Sequence, residues 1–549
     1  MTGATLRLRP AGARPDAPWT EIAARPGEDL ARAIWLSGAV APRPLCLGLG
    51  RCGLCRVRYV SAAPPALPEE AAILSPQDVA AGWRLACRRT VPDMARGGAL
   101  ELELSPAPVA AAAPDATPPV PPRPGETVVL GVDLGTTSLQ WRAVAVGRAG
   151  GADAPGRVLA EGAGLNPQAG AGADVMSRLA FARTEAGLAA LGGLARGAVA
   201  AICARLADAG LAPARICVAA NTAMTDIFLG RDVSGLCAAP YRRSHAGGRT
   251  AELPGLPPIV IPPLPGPFVG GDLSAGLAAL LDPDRAGEMP RPFVLADLGT
   301  NGELALLTED GRLFLASVPL GPALEGIGPE RGRMAGPGVV TEFRLGPSGP
   351  QPVLFDEEPP RGALPAAAAG ISATGYLSLL ALLLRLGVLD AEGHFAEPGA
   401  PGLPLARALA GRVTPGPAGA RLSLPLGRWL AAGDVELLLK VKAAFAVALE
   451  AVCAAAGIPP AGLRRLALAG ALGEHVRPAD LKDLGFAPGV AASKMVAVGN
   501  TALAGACLLA ARPARREALA ALCGRATVLE LTEAPGFQQA YLAHMRLGE

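Results

Sequence analysis

Cys46, Cys52, Cys55 and Cys87 read C-x5-C-x2-C, followed after thirty-one residues by a fourth cysteine, a spacing that suits an inorganic cluster better than a disulfide framework. The first three lie in CLGLGRCGLCRV. There Gly48, Gly50 and Gly53 let a short loop turn thiolates and backbone N–H groups inward around a compact core. The outer cysteines stand where the first and last ligands of a plant-type two-iron two-sulfur ferredoxin stand, with one extra residue between the first two. A four-cysteine zinc site is the alternative, although zinc ribbons carry two C-x2-C pairs and this segment has one. Cys203, Cys217, Cys237, Cys453, Cys507 and Cys523 lack metal-ligand spacing and read as small core hydrophobes.

A second chemistry is written twice. Asp133-Leu134-Gly135-Thr136 and Asp297-Leu298-Gly299-Thr300 lie 164 residues apart, each after a β-rich run and before another. A hairpin turn of this type offers backbone N–H groups and hydroxyls to phosphate, and its Asp can hold Mg2+ directly or through water. Two such turns across a cleft can grip a polyphosphate and place an attacking water in line. The chain has no G-x-x-x-x-G-K-[ST], so this is not a P-loop. Each Asp could instead cap its own turn. The candidate phosphate walls are Asp133, Gly135, Thr136 and Thr137 on one side and Asp297, Gly299, Thr300 and Asn301 on the other. Asp133 and Asp297 are the candidates for Mg2+ or for orienting water.

These residues need rigid elements to hold them. In the first hundred residues the runs LRLRP, CRVRYV and LELELS read as strands around a helix in DLARAIWLSG, a mix that suits a small β-grasp ferredoxin-like domain over 1–105. Residues 106–126 are Pro- and Ala-rich and read as a semi-rigid tether. From 127 to 549 strands and helices alternate as in an α/β domain, with a first lobe over about 127–290 and a second over about 291–549.

Composition narrows the partners. The 549 residues are half apolar, with formal net charge +2 and 4% aromatics, so neither the basic footprint nor the stacking platforms of a nucleic-acid binder are expected. The apolar stretch from Tyr376 to Leu389 is too short to span a bilayer and contains Arg385, and the chain does not open on a signal-like segment. A cytoplasmic protein with reduced thiols and no membrane partner is the expectation.

The paired turns make the chain resemble the superfamily that joins actin, sugar kinases and heat-shock ATPases, built from duplicated ribonuclease-H-like subdomains. That resemblance implies ATP between two lobes and a late glycine-rich adenosine motif, for which LALAGALGEHV, with Gly470 and Gly473, is the candidate. The segments NPQAGAGADVMSRL, NTAMTDIFLG, GPFVGGDLSAGLAA, LADLGTNGEL, GPALEGIGPERGRMAGPG, GISATG and VGNTALAGA, in order, are similar to the RACo-type corrinoid-activating ATPases. Ala373 and Ala316 depart from the pattern of that family and are given no chemistry. A separate middle domain has little room before the first turn and is expected to be absent or merged.

The resemblance implies one-electron reduction of a corrinoid protein from Co(II) to Co(I), with a 2Fe-2S cluster on the four cysteines, ATP, Mg2+, a low-potential donor such as a ferredoxin, flavodoxin or reductase, and a homodimer as a compatible assembly. A plant-type cluster lies near about −400 mV. A ~200 mV uphill gap to cobalt would cost roughly 4.6 kcal/mol, which ATP turnover can supply. Two other readings are an ATP-switched redox-sensing module and a small-molecule kinase with a ferredoxin appendage. Glu325 and Glu330 are expected to meet ligand, partner or solvent, and His475 to be a surface or capping residue.

Overall fold

The computed structural model describes all residues except 1–3, 15, 44, 46, 47, 49, 51, 52, 72, 94–97, 106–118, 148–155, 173, 285, 286, 288, 356–369, 400, 401, 417, 418, 532, 533, 535 and 549. Cys46, Cys52 and residues 106–118 of the expected tether therefore lie outside the described residues.

Alternating apolar and charged residues build the N-terminal sheet. Strands β1 (Ala4–Pro10), β2 (Thr20–Ala24), β3 (Arg56–Tyr59), β4 (Trp83–Leu85) and β5 (Ala99–Leu104) run in the order β2-β1-β5-β3-β4, with β1 and β5 parallel at its centre, the strand order of a β-grasp unit. Leu6, Leu8, Leu100 and Leu102 share the core with Leu30, Ile34 and Trp35 of the helix Leu30–Trp35. Each such buried side chain contributes about 2 kcal/mol. Between them, Arg7 pairs with Glu21 at 2.9 Å and Glu101 at 3.0 Å, and Arg9 with Glu103 at 2.8 Å. Asp29 caps the helix by accepting the Arg32 N–H at 2.8 Å.

Two larger sheets repeat one topology. The first contains β6 (Thr127–Leu134), β7 (Ser138–Val146), β8 (Arg157–Leu165), β9 (Arg215–Ala219), β10 (Arg249–Ala251) and β11 (Ile259–Ile261), in the order β10-β11-β9-β6-β7-β8. Next come β12 (Phe293–Leu298), β13 (Asn301–Leu307) and β14 (Leu313–Pro319), then an accessory hairpin, β15 (Val340–Gly346) with β16 (Gly349–Leu354). A small sheet follows, made of β17 (Val413–Gly416), β18 (Gly419–Leu424) and β19 (Arg428–Ala431). The second large sheet is completed by β20 (Arg465–Ala469), β21 (Met495–Gly499) and β22 (Thr527–Val528), in the order β21-β20-β12-β13-β14-β22. In each, an antiparallel meander continues through its first strand into two parallel strands, so β8-β7-β6-β9-β11 matches β14-β13-β12-β20-β21. The central strands are covered on both faces, which explains their unbroken apolar runs VVLGV and FVLA.

Two helices cross between the sheets. Gly271–Leu280 packs Leu273 and Leu277 with Leu295, Ala305 and Ala467 of the second sheet, whereas Thr501–Ala511 packs Ala502, Leu503 and Ala506 with Val129 and Cys217 of the first. They touch backbone to backbone: a Cβ on Gly505 would lie 1.8 Å from the Ala275 carbonyl oxygen. Any side chain there would force the lobes apart.

The helix Glu185–Asp208 is long and apolar enough to cross a membrane by length and composition. Its Leu191, Ala195, Val199, Ile202 and Leu206 are buried in the first lobe, a stripe at helical spacing that serves the core. The Tyr376–Leu389 stretch is a core helix and its exit, Ala373–Arg385, with Tyr376 and Leu377 fully buried.

The N-terminal unit rests on the first lobe. Leu36 joins the cluster of Ala171, Val175 and Leu179, and the Arg32 guanidinium lies 6.0 Å from the Phe181 ring centre. A Cβ on Gly170 would come within 3.1 Å of the Trp35 backbone, so glycine is what lets the two surfaces close.

Candidate functional site: the cleft between the paired turns

Both D-L-G-T turns open into one cavity of about 620 Å3. Asp133 ends β6 beside Gln140 of β7, and Asp297 ends β12 beside Glu303 of β13, equivalent places in the repeated sheets. Asp133, Gly135, Thr136 and Thr137 line one wall; Asp297, Gly299, Thr300 and Asn301 line the other. The sequence-derived pairing of these turns is therefore physical.

The first turn is held from behind. The Asn166 side-chain amide donates to the Gly135 carbonyl at 2.7 Å, while its backbone N–H donates to the Thr137 carbonyl at 2.8 Å. Arg178, 1% exposed, donates to the carbonyls of Thr136 and of Gly172, the latter at 3.0 Å, and to Gln168 Oε1 at 3.3 Å. Asn221 Nδ2 donates to Thr136 Oγ1 at 3.3 Å. A buried guanidinium so tied fixes the backbone that would meet phosphate.

Seven carboxylates line the cavity: Asp133, Asp272, Asp297, Glu303 and Glu325, together with Glu342 and Asp480, which are both paired with arginines. Burial pushes the Asp133 carboxyl up to about 7, reinforced by the negative charge of Asp272 and opposed by Asn500 Nδ2, which donates to Asp133 Oδ2 at 2.7 Å. Burial likewise raises Asp297 to about 7, with Asp272 and Asp133 adding repulsion. Asp272, raised to about 6 chiefly by burial, accepts from Glu303, whose carboxyl burial and the Asp272 charge hold well above the usual range. Arg477, on the rim, is the one Lys or Arg lining the cavity among the described residues. A polyphosphate entering so acidic a pocket needs a divalent cation to bridge the like charges. Among the described residues no three His, Cys, Asp or Glu side chains form a ready metal cage. Mg2+ takes one or two carboxylates and fills its octahedron with phosphate oxygens and water.

Glu325 lies between the turns. The Thr137 and Thr300 hydroxyls both donate to its carboxylate, one to each oxygen. Burial raises its carboxyl, and the two hydroxyls and the nearby Arg178 charge oppose that shift.

The two glycines of the late motif have different surroundings. LALAGALGEHV does form a strand and a helix, β20 and Gly470–His475. Gly470, at φ 79°, sits beside Asp297, where a Cβ would lie 2.6 Å from Oδ1. Gly473 is not among the residues lining the cavity; a Cβ there would meet the Leu468 backbone at 2.8 Å, so it serves helix-to-strand packing. His475 is exposed on the cavity rim, and Glu330 is tied to Arg421 at 2.6 Å and to the Trp429 indole N–H at 2.7 Å.

Of the four N-terminal cysteines, the described pair come together. Cys55 Sγ and Cys87 Sγ lie 3.3 Å apart, Cys55 directly before β3 and Cys87 in the turn Ala86–Arg88 after β4. Ala86 N–H donates to the Cys55 carbonyl at 3.0 Å, which fixes the two turns together. Two thiols in contact without a disulfide can share one inorganic ion or cluster. The remaining cysteines, Cys203, Cys217, Cys453, Cys507 and Cys523, are buried, and Cys237 is partly buried.

Sequence reasoning missed Asp272, Glu303, Asn166, Arg178 and Asn500. Their signal was position: Asp272 opens the crossing helix, Glu303 is two residues past Asn301 on the same strand, and Asn500 caps Thr501–Ala511.

Residues 128–281 match the model of the RACo middle region, and residues 291–549 match that of the C-terminal domain of RACo, the ASKHA domain. The middle region is thus the first lobe itself, not an additional unit before it. A [Co(II) methylated amine-specific corrinoid protein] reductase of Methanosarcina barkeri is 31% identical over 262 residues, 45% of this chain and 43% of that protein. The corrinoid activation enzyme RamQ of Eubacterium limosum is 25% identical over 351 residues, 60% of this chain and 55% of that protein. The chain spans about half the length of these curated relatives. A solved reductive activator for corrinoid, iron-sulfur protein superposes with TM-score 0.63 at 20% identity, covering 99% of this chain and 98% of that one, which shows a shared fold. With the middle and C-terminal domains matched in order and the repeated sheets in place, the chain belongs to the RACo family.

Proposed function

We propose that this protein is an ATP-hydrolysing activase that delivers one electron to the Co(II) of a corrinoid protein and so restores Co(I) for methyl transfer. The observation that carries the reading is the joining, in one RACo-family chain, of a two-turn acidic cleft to a β-grasp unit in which Cys55 and Cys87 sulfurs meet at 3.3 Å.

In this reading the chain divides into a cluster domain over 1–105, a tether over 106–126 and the two-lobed ATPase over 127–549. Cys46, Cys52, Cys55 and Cys87 hold a 2Fe-2S cluster, which supplies low-potential one-electron transfer when bound. Thr136, Thr137, Thr300 and Asn301, with Gly135 and Gly299 of the two turns, hold the phosphates. Asp133 and Asp297 anchor Mg2+, directly or through water, and Gly470 keeps the space beside Asp297 open. Closure of the lobes, hinged where the helices Gly271–Leu280 and Thr501–Ala511 cross, converts nucleotide state into a change at the corrinoid partner. A low-potential ferredoxin, flavodoxin or reductase refills the cluster domain, and the reaction belongs in the cytoplasm, where thiols stay reduced.

The test is the anaerobic optical spectrum of a Co(II) corrinoid protein mixed with the full chain, a chemical reductant, Mg2+ and either ATP or no nucleotide. Co(I) appearing with ATP and absent without it is the expected result. Equal Co(I) in both mixtures, or none in either with several corrinoid proteins, overturns the reading.

A further inference from the structure

Glu325 ends the short turn Pro322–Glu325 that follows β14, and the chain reverses directly after it. Gly326, at φ 76°, has no room for a side chain, because a Cβ would lie 2.1 Å from the Arg333 carbonyl oxygen. Gly332 closes the same loop, with a Cβ position 2.4 Å from the Gly326 carbonyl oxygen. The carboxylate is thus presented from a tight loop, on a backbone that cannot swing freely.

Its two oxygens accept from Thr137 on one turn and Thr300 on the other. Those hydroxyls are the donors that phosphate oxygens need, so Glu325 occupies the seat that spans both turns. Asp133 is committed to Asn500 at 2.7 Å, and Asp272 is tied to Glu303. Among the described carboxylates of the cleft, Glu325 is the one bonded to both phosphate walls.

We propose that Glu325 is the catalytic base of ATP hydrolysis: when the terminal phosphate takes over the Thr137 and Thr300 hydroxyls, the displaced carboxylate holds the attacking water and accepts its proton. The water oxygen forms the new bond to the terminal phosphorus as the bond to the β,γ-bridging oxygen breaks. ADP leaves with the bonding electron pair, and the proton on Glu325 passes to solvent as inorganic phosphate departs. No further reactant is needed. Burial raises the Glu325 carboxyl, the direction that strengthens it as a proton acceptor near neutral pH. This assignment rests on the ATP-hydrolysing part of the proposed function and is independent of the corrinoid.

The test compares the full-length wild type with Glu325→Gln, measuring steady-state hydrolysis of Mg-ATP and equilibrium binding of a non-hydrolysable ATP analogue. Loss of the base is expected to lower kcat by about 100-fold or more. Analogue affinity is expected to stay equal or to tighten, since a negative charge leaves the phosphate seat. A kcat within threefold of wild type overturns the proposal, as does loss of binding by the same factor as turnover. If Glu325→Gln fails to fold, Glu325→Asp keeps the charge one methylene short, and wild-type kcat in that variant is likewise fatal. A wild type that hydrolyses ATP through Glu325 but reduces no cobalt defeats the activase reading alone; cobalt reduction with an active Glu325→Gln defeats this proposal alone.

Discussion

Replacing Asp297 by Asn is expected to stabilise the nucleotide-free protein while abolishing its ATP-dependent activity, and the stabilisation is expected to grow with pH. Asp297 is raised to about 7 by burial and by the charges of Asp272 and Asp133, against an ordinary value of 3.8. The folded state therefore binds a proton that the unfolded state has released, so wild-type stability falls as pH rises from about 4 through about 7 and is level above that. Asparagine keeps the neutral shape and removes the dependence. Between pH 5 and pH 7 the difference spans two pH units, about 2.7 kcal/mol at about 1.36 kcal/mol per unit. Water in the open cavity screens part of that, leaving about 1.4 kcal/mol. For lobes of this size the gain is about 3 °C in Tm at pH 8 beyond any gain at pH 5. Differential scanning calorimetry of both proteins at fixed ionic strength, without Mg2+ or nucleotide, reads it directly. A gain that is the same at pH 5 and pH 8, or a variant less stable at pH 8 than wild type, would refute the reasoning that the cleft stores electrostatic strain.

Two further outcomes follow from contacts at the edges of the site. Asn500→Ala removes the 2.7 Å donor to Asp133, which favours the ionised form, so the acid limb of the kcat/KM profile is expected to move up by about one pH unit; an unmoved limb would show that Asp133 need not ionise. Leu36→Asp places a charge among Ala171, Val175 and Leu179 and is expected to free the N-terminal unit, read as a larger radius of gyration in solution scattering with the visible cluster spectrum retained; an unchanged radius shows that the contact does not hold the two together.

What could be read in the chain was what local chemistry dictates. The turns at Asp133 and Asp297 were visible because the same Asp-Leu-Gly-Thr recurs at equivalent places between β-rich runs; one copy is an ordinary hairpin turn, and the repeat is what suggested a doubled fold. Alternation in LRLRP and LELELS predicted the N-terminal strands, and β1 and β5 carry it out, charges on one face and leucines on the other. Asp272 and Asn500 were not legible. Each opens an ordinary apolar helix, and only the crossing of those two helices between the lobes carries them to the cleft. Glu325 sits 188 residues from Thr137, and no periodicity links positions brought together by lobe packing. Gly473 was ambiguous for the opposite reason: a glycine that packs a helix on its own strand looks, in sequence, like one that makes room for a ligand.

The same long-range packing bears on how nucleotide state could reach the redox unit. Asn166 grips the first turn through Gly135 and Thr137, and its side-chain oxygen also caps the short helix Pro167–Ala171 by accepting the Gln168 N–H at 2.9 Å. That helix carries Gly170 and Ala171, the surface on which Trp35 and Leu36 of the N-terminal unit rest. Behind it, Arg178 ties the carbonyls of Thr136 and Gly172 together, so the turn and the docking surface share one rigid body. Exchanging Glu325 for phosphate at the Thr137 hydroxyl changes the forces on the front of that body, and the seat of the cysteine-bearing unit is on its back. A ligand acts at a distance only to the extent that it binds two arrangements with different affinity. In the proposed exchange the two arrangements differ in what bridges Thr137 and Thr300, a carboxylate or a phosphate, and one end of that bridge lies on the turn whose back carries the seat of the N-terminal unit.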